Sequence, residues 1–277
     1  MESQTNKAIQ FRQLHRGPHV LILPNAWDVA SARIFEEAGF PALATTSAGI
    51  AFSLGYPDGE RIPREEMMAR ISRITHAVQV PVTADVEAGY GSTAEDAART
   101  TSELIQAGVA GMNLEDGSGD PARPLIDFQL AVEKIRAARQ AAMQLHAQFV
   151  INARTDVYLL PGSNPDTDYS EAERRLVAFR DAGADCVFAP GLKDAETIGR
   201  LVKVVKCPLN ILAGPGTPSI PELEKLGVAR VSVGSGPMRA TLGLLRRLAE
   251  ELKASGTYSA MEGAVPYVEM NKLLGDL

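Results

Sequence analysis

The feature that most constrains this chain is a regular alternation of short apolar runs with helix-like segments. The runs lie at 20–23, 41–46, from Val80, and at 109–114, 149–153, 185–189, 209–213 and 228–233. Short, nearly uninterrupted apolar runs are typical of parallel strands that are buried on both faces. Helix stops such as Gly39, Gly108 and Gly183 end the segments between them. The pattern predicts eight strand-then-helix units.

Eight such units in 277 residues fit a closed (β/α)8 barrel of the TIM type. The alternative is an open, doubly wound sheet, which usually carries a glycine-rich phosphate loop after its first strand. Here the first turn reads PNAWD, which lacks such a loop. We therefore predict one α/β barrel domain over 1–277, with about 259–277 as an additional C-terminal helical extension.

Composition narrows the class of protein further. The formal net charge of -6 argues against non-specific nucleic-acid binding. No window approaches the ~20 apolar residues of a membrane span, and the first residues, MESQTNKAIQF, lack the apolar core of a signal peptide. Cys186 and Cys207 sit in no metal-ligand spacing and are predicted to be small buried hydrophobes. We expect a cytoplasmic protein with neither a nucleic-acid nor a membrane partner.

One stretch, VPVTADVEAGYG at 80–91, organises the chemistry. Asp85 and Glu87 stand two residues apart, and side chains at that spacing share one face of a strand. Two neighbouring carboxylates repel each other unless a cation, a proton or a basic partner compensates them. Gly89 and Gly91 then free the backbone for a tight loop. The stretch is compatible with a solvated acidic turn or with a site for a divalent cation.

The barrel prediction gathers polar residues at one end, because active sites of such barrels lie at the carboxyl ends of the strands. The residues predicted there are Ser47, Asp58, Asp85, Glu87, Glu115, Asp116, Arg154, Asn210, Ser232 and Ser235. No histidine is among them, and an oxygen-rich set suits Mg²⁺ or Mn²⁺ better than zinc. The planar guanidinium of Arg154 matches the two oxygens of a substrate carboxylate. A purely structural ion-pair network is the alternative.

The sequence resembles the isocitrate lyase/phosphoenolpyruvate mutase superfamily in several segments. The matching pieces are TTSAGIA at 45–51, Asp58, ADVEAGYG at 84–91, NLED at 113–116 and NARTD at 152–156. They follow the order of the family and span most of the chain. The resemblance implies a TIM-type barrel, a bound Mg²⁺ and a small 2-keto acid as substrate.

The resemblance also implies a role for each matching residue. Asp85 is expected to bind Mg²⁺ (Mn²⁺ as the substitute) directly, and Asp58, Glu87 and Glu115 to hold its waters. The backbone at Ser47, Ala48 and Gly49, together with Arg154, is expected to bind the keto-acid end of the substrate. The family usually has Asp where this chain has Glu87, which keeps the charge and adds one methylene.

The departures from the family pattern decide which activity to expect. The loop after the fourth strand reads GSGDPARP, where lyases of the family carry a Lys-Lys/Arg-Cys-Gly segment and phosphonate mutases a Lys-Thr-Asn-Ser type segment. Neither Cys186 nor Cys207 can supply the missing thiol. We expect Mg²⁺-dependent decarboxylation, lysis or hydrolysis of a carbon–carbon bond in an oxaloacetate-like 2-keto acid, through an enolate. The alternatives are a phosphonate-metabolising mutase or hydrolase, and a non-enzymatic binding protein.

Several further roles are predicted. The proton that reaches the enolate is expected to come from water, Tyr56 or Asp58. Glu115 and Arg154 complete the predicted catalytic set. Asn210 is predicted to bind the substrate. The loop 117–126 has the glycines and proline of a hinged lid. Arg123, its only basic residue, is predicted to meet the distal carboxylate or phosphoryl group of the substrate, and a solvated arginine on a mobile loop is the alternative.

Assembly is predicted from the C-terminus. The resemblance implies a C-terminal helix exchanged between the subunits of a dimer, and dimers paired into a homotetramer. An apolar stripe that would serve this purpose is predicted at Met261, Val265, Val268 and Leu273, and a helix packed on its own barrel is the alternative.

Overall fold

The computed structural model describes residues 2–275 and contains nine parallel strands in a single sheet. The strands are β1 (Leu21–Leu23), β2 (Asn25–Ala26), β3 (Leu43–Thr45), β4 (Val82–Asp85), β5 (Gly111–Glu115), β6 (Val150–Arg154), β7 (Cys186–Phe188), β8 (Leu209–Leu212) and β9 (Arg230–Ser232). Their spatial order is β1-β9-β8-β7-β6-β5-β4-β3-β2. The predicted strands are therefore confirmed. Most are shorter than the apolar run that predicts them, whereas β6 is as long as its run and begins and ends one residue later.

The first strand is split in two and closes the barrel. β1 pairs with β9, β2 pairs with β3, and only Pro24 separates them. Proline lacks the N–H that a ladder needs, but its carbonyl accepts a hydrogen bond from the Ala44 N–H at 2.9 Å. The stretch 21–26 thus occupies one strand position, and the nine strands form the predicted eight-position TIM-type barrel.

Helices surround the sheet. They are α1 (Glu2–Leu14), α2 (Val29–Glu37), α3 (Ser47–Ser53), α4 (Arg64–His76), α5 (Ala94–Gln106), α6 (Phe128–Gln144), α7 (Pro165–Asp181), α8 (Ala195–Val205), α9 (Ile220–Lys225), α10 (Gly236–Ala254) and α11 (Tyr267–Leu274), with 3-10 turns at Val157–Leu159 and Ser259–Met261. Local signals explain their bounds: Thr93 and Asp96 form a capping box before α5, and Gly108 follows that helix with a φ of 83°. Within 2–275, no helix is long and apolar enough to cross a bilayer.

Two segments differ from the sequence prediction. No helix was predicted over residues 47–53, but these residues form α3, because the Thr46 side chain caps it by accepting from the Gly49 N–H at 3.3 Å. The C-terminal helix was expected from Met261 but begins at Tyr267, after Pro266 and after Gly263 with a φ of 81°. The first difference matters for function, since α3 directly follows β3 at the catalytic end.

The two ends of the barrel are packed differently. Ala8 and Phe11 of α1 are wholly buried against residues of the barrel strands, including Leu21 and Leu23. Helix α1 therefore closes the amino-terminal end of the barrel. The carboxyl ends of the strands remain open, and the polar residues predicted to form the site lie there.

Candidate active site

A cavity of about 630 Å³ opens at the carboxyl ends of the strands. Five of the predicted site residues line it: Ser47, Asp58, Glu87, Glu115 and Arg154. They come from the segments that follow β3 and β4 and from the ends of β5 and β6. The structure therefore brings these five residues together around one cavity.

Asp85 lies at the end of β4, and its carboxylate is held by three donors. Its Oδ2 accepts from the Ser47 hydroxyl at 2.8 Å and from the Ser47 backbone N–H at 3.1 Å. Its Oδ1 accepts from Asn113 Nδ2 at 3.3 Å. The side chain is 8% exposed. A buried carboxylate held on both oxygens has one fixed orientation, which suits a metal ligand.

Glu87 lies two residues beyond the last residue of β4, so strand alternation does not bring it beside Asp85. A turn does so: Glu87 has a φ of 50°, and Glu60 and Tyr90 around it have φ values of 53° and 57°. Non-glycine residues in this region are strained and concentrate at functional sites. The Glu60 N–H donates to Glu87 Oε2, and the Tyr90 N–H donates to Glu60 Oε1 at 2.7 Å.

The surroundings of Glu87 disfavour the charged form of its carboxyl group. Burial, then the charges of Asp58 and Asp85, raise its pKa to about 8. Its Oε1 is buried and has no hydrogen-bond partner within the described chain. A buried acceptor with no donor, facing other carboxylates, is what a hydrated divalent cation would satisfy.

Arg154 is shared between two carboxylates. Its Nη1 lies 2.6 Å from Glu115 Oε2, and its Nε and Nη2 reach the two oxygens of Asp156 at 2.5 and 2.9 Å. Burial raises the pKa of Glu115 well above its usual range, while Arg154 opposes that shift. The predicted ion-pair network therefore exists, and it lines the cavity instead of lying apart from it.

The charges around the cavity fit a divalent cation. Six carboxyl groups and two guanidinium groups line it, and Arg154 is already paired with two of the acids. Among residues 2–275, no three His, Cys, Asp or Glu side chains come together as a ready ligand cluster. Acids of this kind can hold the waters of Mg²⁺, and Asp85, whose partner Ser47 lines the cavity, is the candidate for the one direct carboxylate ligand.

The remaining predicted residues lie at different distances from the cavity. Asp58 lies on its wall, where partial burial, followed by the charge of Asp85, raises the pKa of its carboxyl group. Tyr56 packs against the core and is absent from the lining. Ala48 and Gly49 lie in the first turn of α3, where the Gly49 N–H is used by the Thr46 cap. Asn210 is wholly buried, and its Nδ2 donates to the Ser232 hydroxyl at 3.2 Å, inside the barrel.

The predicted lid, 117–126, is a compact loop beside the cavity. Gly117 pairs with Leu125 in an antiparallel bridge, and the Ser118 N–H donates to the Pro124 carbonyl at 2.9 Å. The Arg123 side chain is 88% exposed and lines a neighbouring cavity of about 1020 Å³ instead of the first one. Its predicted contact with the substrate stays a prediction.

Sequence reasoning missed four residues that build the site. Asn113 holds Asp85, Glu60 holds the Glu87 turn, and Arg61 lines the cavity. Lys134, which is 2% exposed, donates to the carbonyls of Ala88 and Gly91 at 2.8 and 2.6 Å and so fixes the loop after β4. A single polar residue within an apolar run, as at Asn113, was the available signal.

The chain is a (β/α)8 barrel with a carboxylate-lined cavity at the carboxyl ends of its strands. Enzymes of this fold have their active sites at that end. Comparison with known proteins narrows this class. The family model described as Phosphoenolpyruvate phosphomutase matches residues 11–253. The chain therefore belongs to the phosphoenolpyruvate mutase/isocitrate lyase superfamily.

Individual relatives are similar over nearly their whole length. The 2,3-dimethylmalate lyase of Eubacterium barkeri is 30% identical over 98% of this chain and 94% of its own. Oxaloacetate decarboxylase 2 of Pseudomonas fluorescens is 28% identical over 96% of this chain and 90% of its own. The structure of oxaloacetate acetylhydrolase in complex with the product oxalate superposes with a TM-score of 0.86 at 27% identity, covering 97% of this chain and 94% of that one. These similarities support an enzyme.

Proposed function

We propose that this protein is a carbon–carbon lyase or decarboxylase that depends on Mg²⁺, with Mn²⁺ as a substitute, and acts on a small, oxaloacetate-like 2-keto acid. The observation that carries the proposal is the Asp85 carboxylate. Three protein donors hold it at the end of β4, and the Ser47 side chain that supplies one of them lines the acidic cavity together with the paired Glu115 and Arg154. The activities named for the relatives also support it.

In this proposal each residue has a defined task. Asp85 would hold the divalent ion, with Glu87, Glu115 and Asp58 on its waters. The ion would stabilise the negative charge that develops on the keto oxygen when the neighbouring bond breaks. Ser47 would fix Asp85. The N–H groups of Arg154 that Glu115 and Asp156 leave unused would orient the carboxylate of the substrate. Asp58, on the cavity wall with a raised pKa, would deliver the final proton.

The phosphonate-mutase alternative is less favoured by the charges of the cavity. Transfer of a phosphoryl group needs several cations around its equatorial oxygens. Among the described residues, the lining offers only Arg61 and Arg154 as cations, and the charge of Arg154 is already balanced by Glu115 and Asp156. The loop 117–126 contains no lysine.

The proposal is tested by assaying full-length protein with oxaloacetate, 2,3-dimethylmalate and phosphonopyruvate, each with Mg²⁺ and after exhaustive chelation. We expect Mg²⁺-dependent turnover of oxaloacetate or 2,3-dimethylmalate. The matched control is Asp85→Ala at the same Mg²⁺ concentration, because free metal ions decompose oxaloacetate slowly without protein. Turnover that survives chelation would contradict the metal dependence, and turnover of phosphonopyruvate alone would favour the mutase.

We also propose that the chain assembles as a homotetramer, a dimer of dimers. Of the 19 residues of α10, only Met238 is buried. Apolar side chains remain uncovered on this helix and beyond it, among them Leu245 at 58%, Tyr267 at 83% and Val268 at 79% exposure. An apolar surface of this extent is typical of an interface between subunits.

A further inference from the structure

A chain of buried polar side chains runs through the barrel beneath Asp85. Arg230 on β9 is wholly buried, and its Nη2 donates to Asn113 Oδ1 at 3.0 Å. Asn152 Nδ2 donates to the same oxygen at 2.8 Å. Asn113 Nδ2 in turn donates to Asp85 Oδ1 at 3.3 Å. One carboxamide therefore links a buried cation to the carboxylate at the candidate metal site.

Arg230 is an unusual residue for this position. The interior of such barrels is normally filled by branched apolar side chains. Within residues 2–275, no carboxylate lies within 4.0 Å of its guanidinium, and its Nε and Nη1 have no hydrogen-bond partner. Its positive charge lies 5.8 Å from the centre of the Phe11 ring. A buried cation with unused donors costs stability, so its presence requires a compensating role.

The chemistry of the side chains assigns that role. A guanidinium carries five donors and no acceptor, so only the oxygen end of a carboxamide can be its hydrogen-bond partner. A carboxamide has both a donor end and an acceptor end, so Asn152 alone leaves the orientation of Asn113 open. Arg230 holds the oxygen end of the Asn113 amide, and the Asp85 carboxylate, which only accepts, holds its N–H end, so the buried cation locks the orientation that the carboxylate needs.

We infer that Arg230 is a positioning residue for the metal site: by fixing the polarity of Asn113, it holds Asp85 in the orientation that presents its carboxylate to a divalent cation. With Asn113 reversed, an amide oxygen would face the Asp85 carboxylate and repel it. The part of this inference that concerns the cation rests on the proposed function. The part that concerns the orientation of Asn113 does not.

The test compares Arg230→Met with Arg230→Lys in the metal-free, full-length protein. Methionine keeps the length and removes every donor, whereas lysine keeps a donor-only cation. Mn²⁺ binding is titrated by electron paramagnetic resonance, and a crystal structure of each variant locates Asn113. We expect Mn²⁺ to bind Arg230→Met at least tenfold more weakly than wild type, and Arg230→Lys within threefold of wild type. In Arg230→Met, the Asn113 amide should leave Asp85.

Thr83→Val is the matched control, because Thr83 is also buried in the barrel and lies two residues before Asp85, yet its hydroxyl has no partner within the described chain. Its Mn²⁺ affinity should equal that of wild type. Unchanged or tighter Mn²⁺ binding in Arg230→Met, with Asn113 in place, would overturn the inference.

Two further outcomes keep the conclusions separate. If wild type binds no Mn²⁺, the proposed function fails, and the position of Asn113 in Arg230→Met still decides whether Arg230 orients it. If Arg230→Met does not fold, Arg230→Gln replaces it, since a carboxamide fits the space and does not fix polarity. At least threefold weaker Mn²⁺ binding is expected there, and wild-type affinity would overturn the inference.

Discussion

Ser47 binds Asp85 twice, through its hydroxyl at 2.8 Å and through its backbone N–H at 3.1 Å, both to Oδ2. The sequence assigned Ser47 to the substrate and Asp85 to the metal, and the structure joins them. The first turn of α3 therefore supports the candidate metal site directly. The hydroxyl and the N–H of Ser47 can be tested separately for their contribution to holding Asp85, because a substitution can remove the hydroxyl and leave the N–H in place.

Ser47→Ala should weaken Mg²⁺ binding by about tenfold, since it removes one charge-assisted hydrogen bond worth at least about 1.5 kcal/mol. Asp85→Ala should abolish Mg²⁺ binding and metal-dependent turnover. Both are checked by calorimetric titration with Mg²⁺. Ser53→Ala, at the other end of α3, is the control and should bind Mg²⁺ like wild type. Equal affinity in Ser47→Ala and wild type would show that Ser47 does not support the ion.

Much of this arrangement could be predicted from the sequence, for a physical reason. Parallel strands end at one edge, so Asp85, Glu115 and Arg154 had to converge once the eight strands were recognised. The surroundings of Glu87 could not be predicted, because a left-handed turn and the Glu60 N–H place it. Such contacts depend on how loops from different units meet, and no local pattern records that.

Arg61 and Arg123 offer a direct comparison of two candidate contacts for the distal charge of a substrate. Arg61 lines the main cavity and Arg123 the neighbouring one. Arg61→Ala should raise the KM for a dicarboxylic keto acid at least tenfold, about 1.4 kcal/mol, and change the KM for pyruvate-sized ligands little. Arg123→Ala should have the smaller effect. Steady-state kinetics with both ligand classes checks this, and the reverse order would assign the contact to the loop 117–126.

His15 should make the fold sensitive to acid. Burial, reinforced by the nearby Arg230 charge, lowers its pKa to about 3 from an unfolded value of 6.5. Below pH 6.5 the unfolded chain takes up a proton that the folded chain refuses, so stability falls as the pH falls. At pH 5 the loss is about 2 kcal/mol.

Urea unfolding at pH 7.5 and pH 5 tests this. His15→Leu should lose about 2 kcal/mol less than wild type between the two pH values. His76→Leu, at an exposed position, should show the wild-type loss. If both variants lose the same free energy, His15 is not the acid-sensitive group.

The last prediction concerns assembly, which the exposed apolar surface of α10 and α11 makes testable. Glu251 of α10 accepts from the N–H groups of Ser259 and Ala260 at 2.7 and 2.8 Å, so the chain after α10 leaves in a fixed direction. A segment directed in this way, with uncovered apolar side chains, is suited to pack on a second subunit. Wild type should therefore sediment as a tetramer, or at least a dimer, at micromolar concentration.

Leu245→Glu combined with Val268→Glu should dissociate the assembly, because each change would bury an unpaired carboxylate at the interface. Met143→Glu is the matched control: Met143 is 66% exposed on α6, outside this surface, and its substitution should leave the assembly intact. Sedimentation velocity distinguishes the three proteins. A wild-type monomer would rule out the assembly, and dissociation by Met143→Glu would move the interface from α10 and α11 to α6.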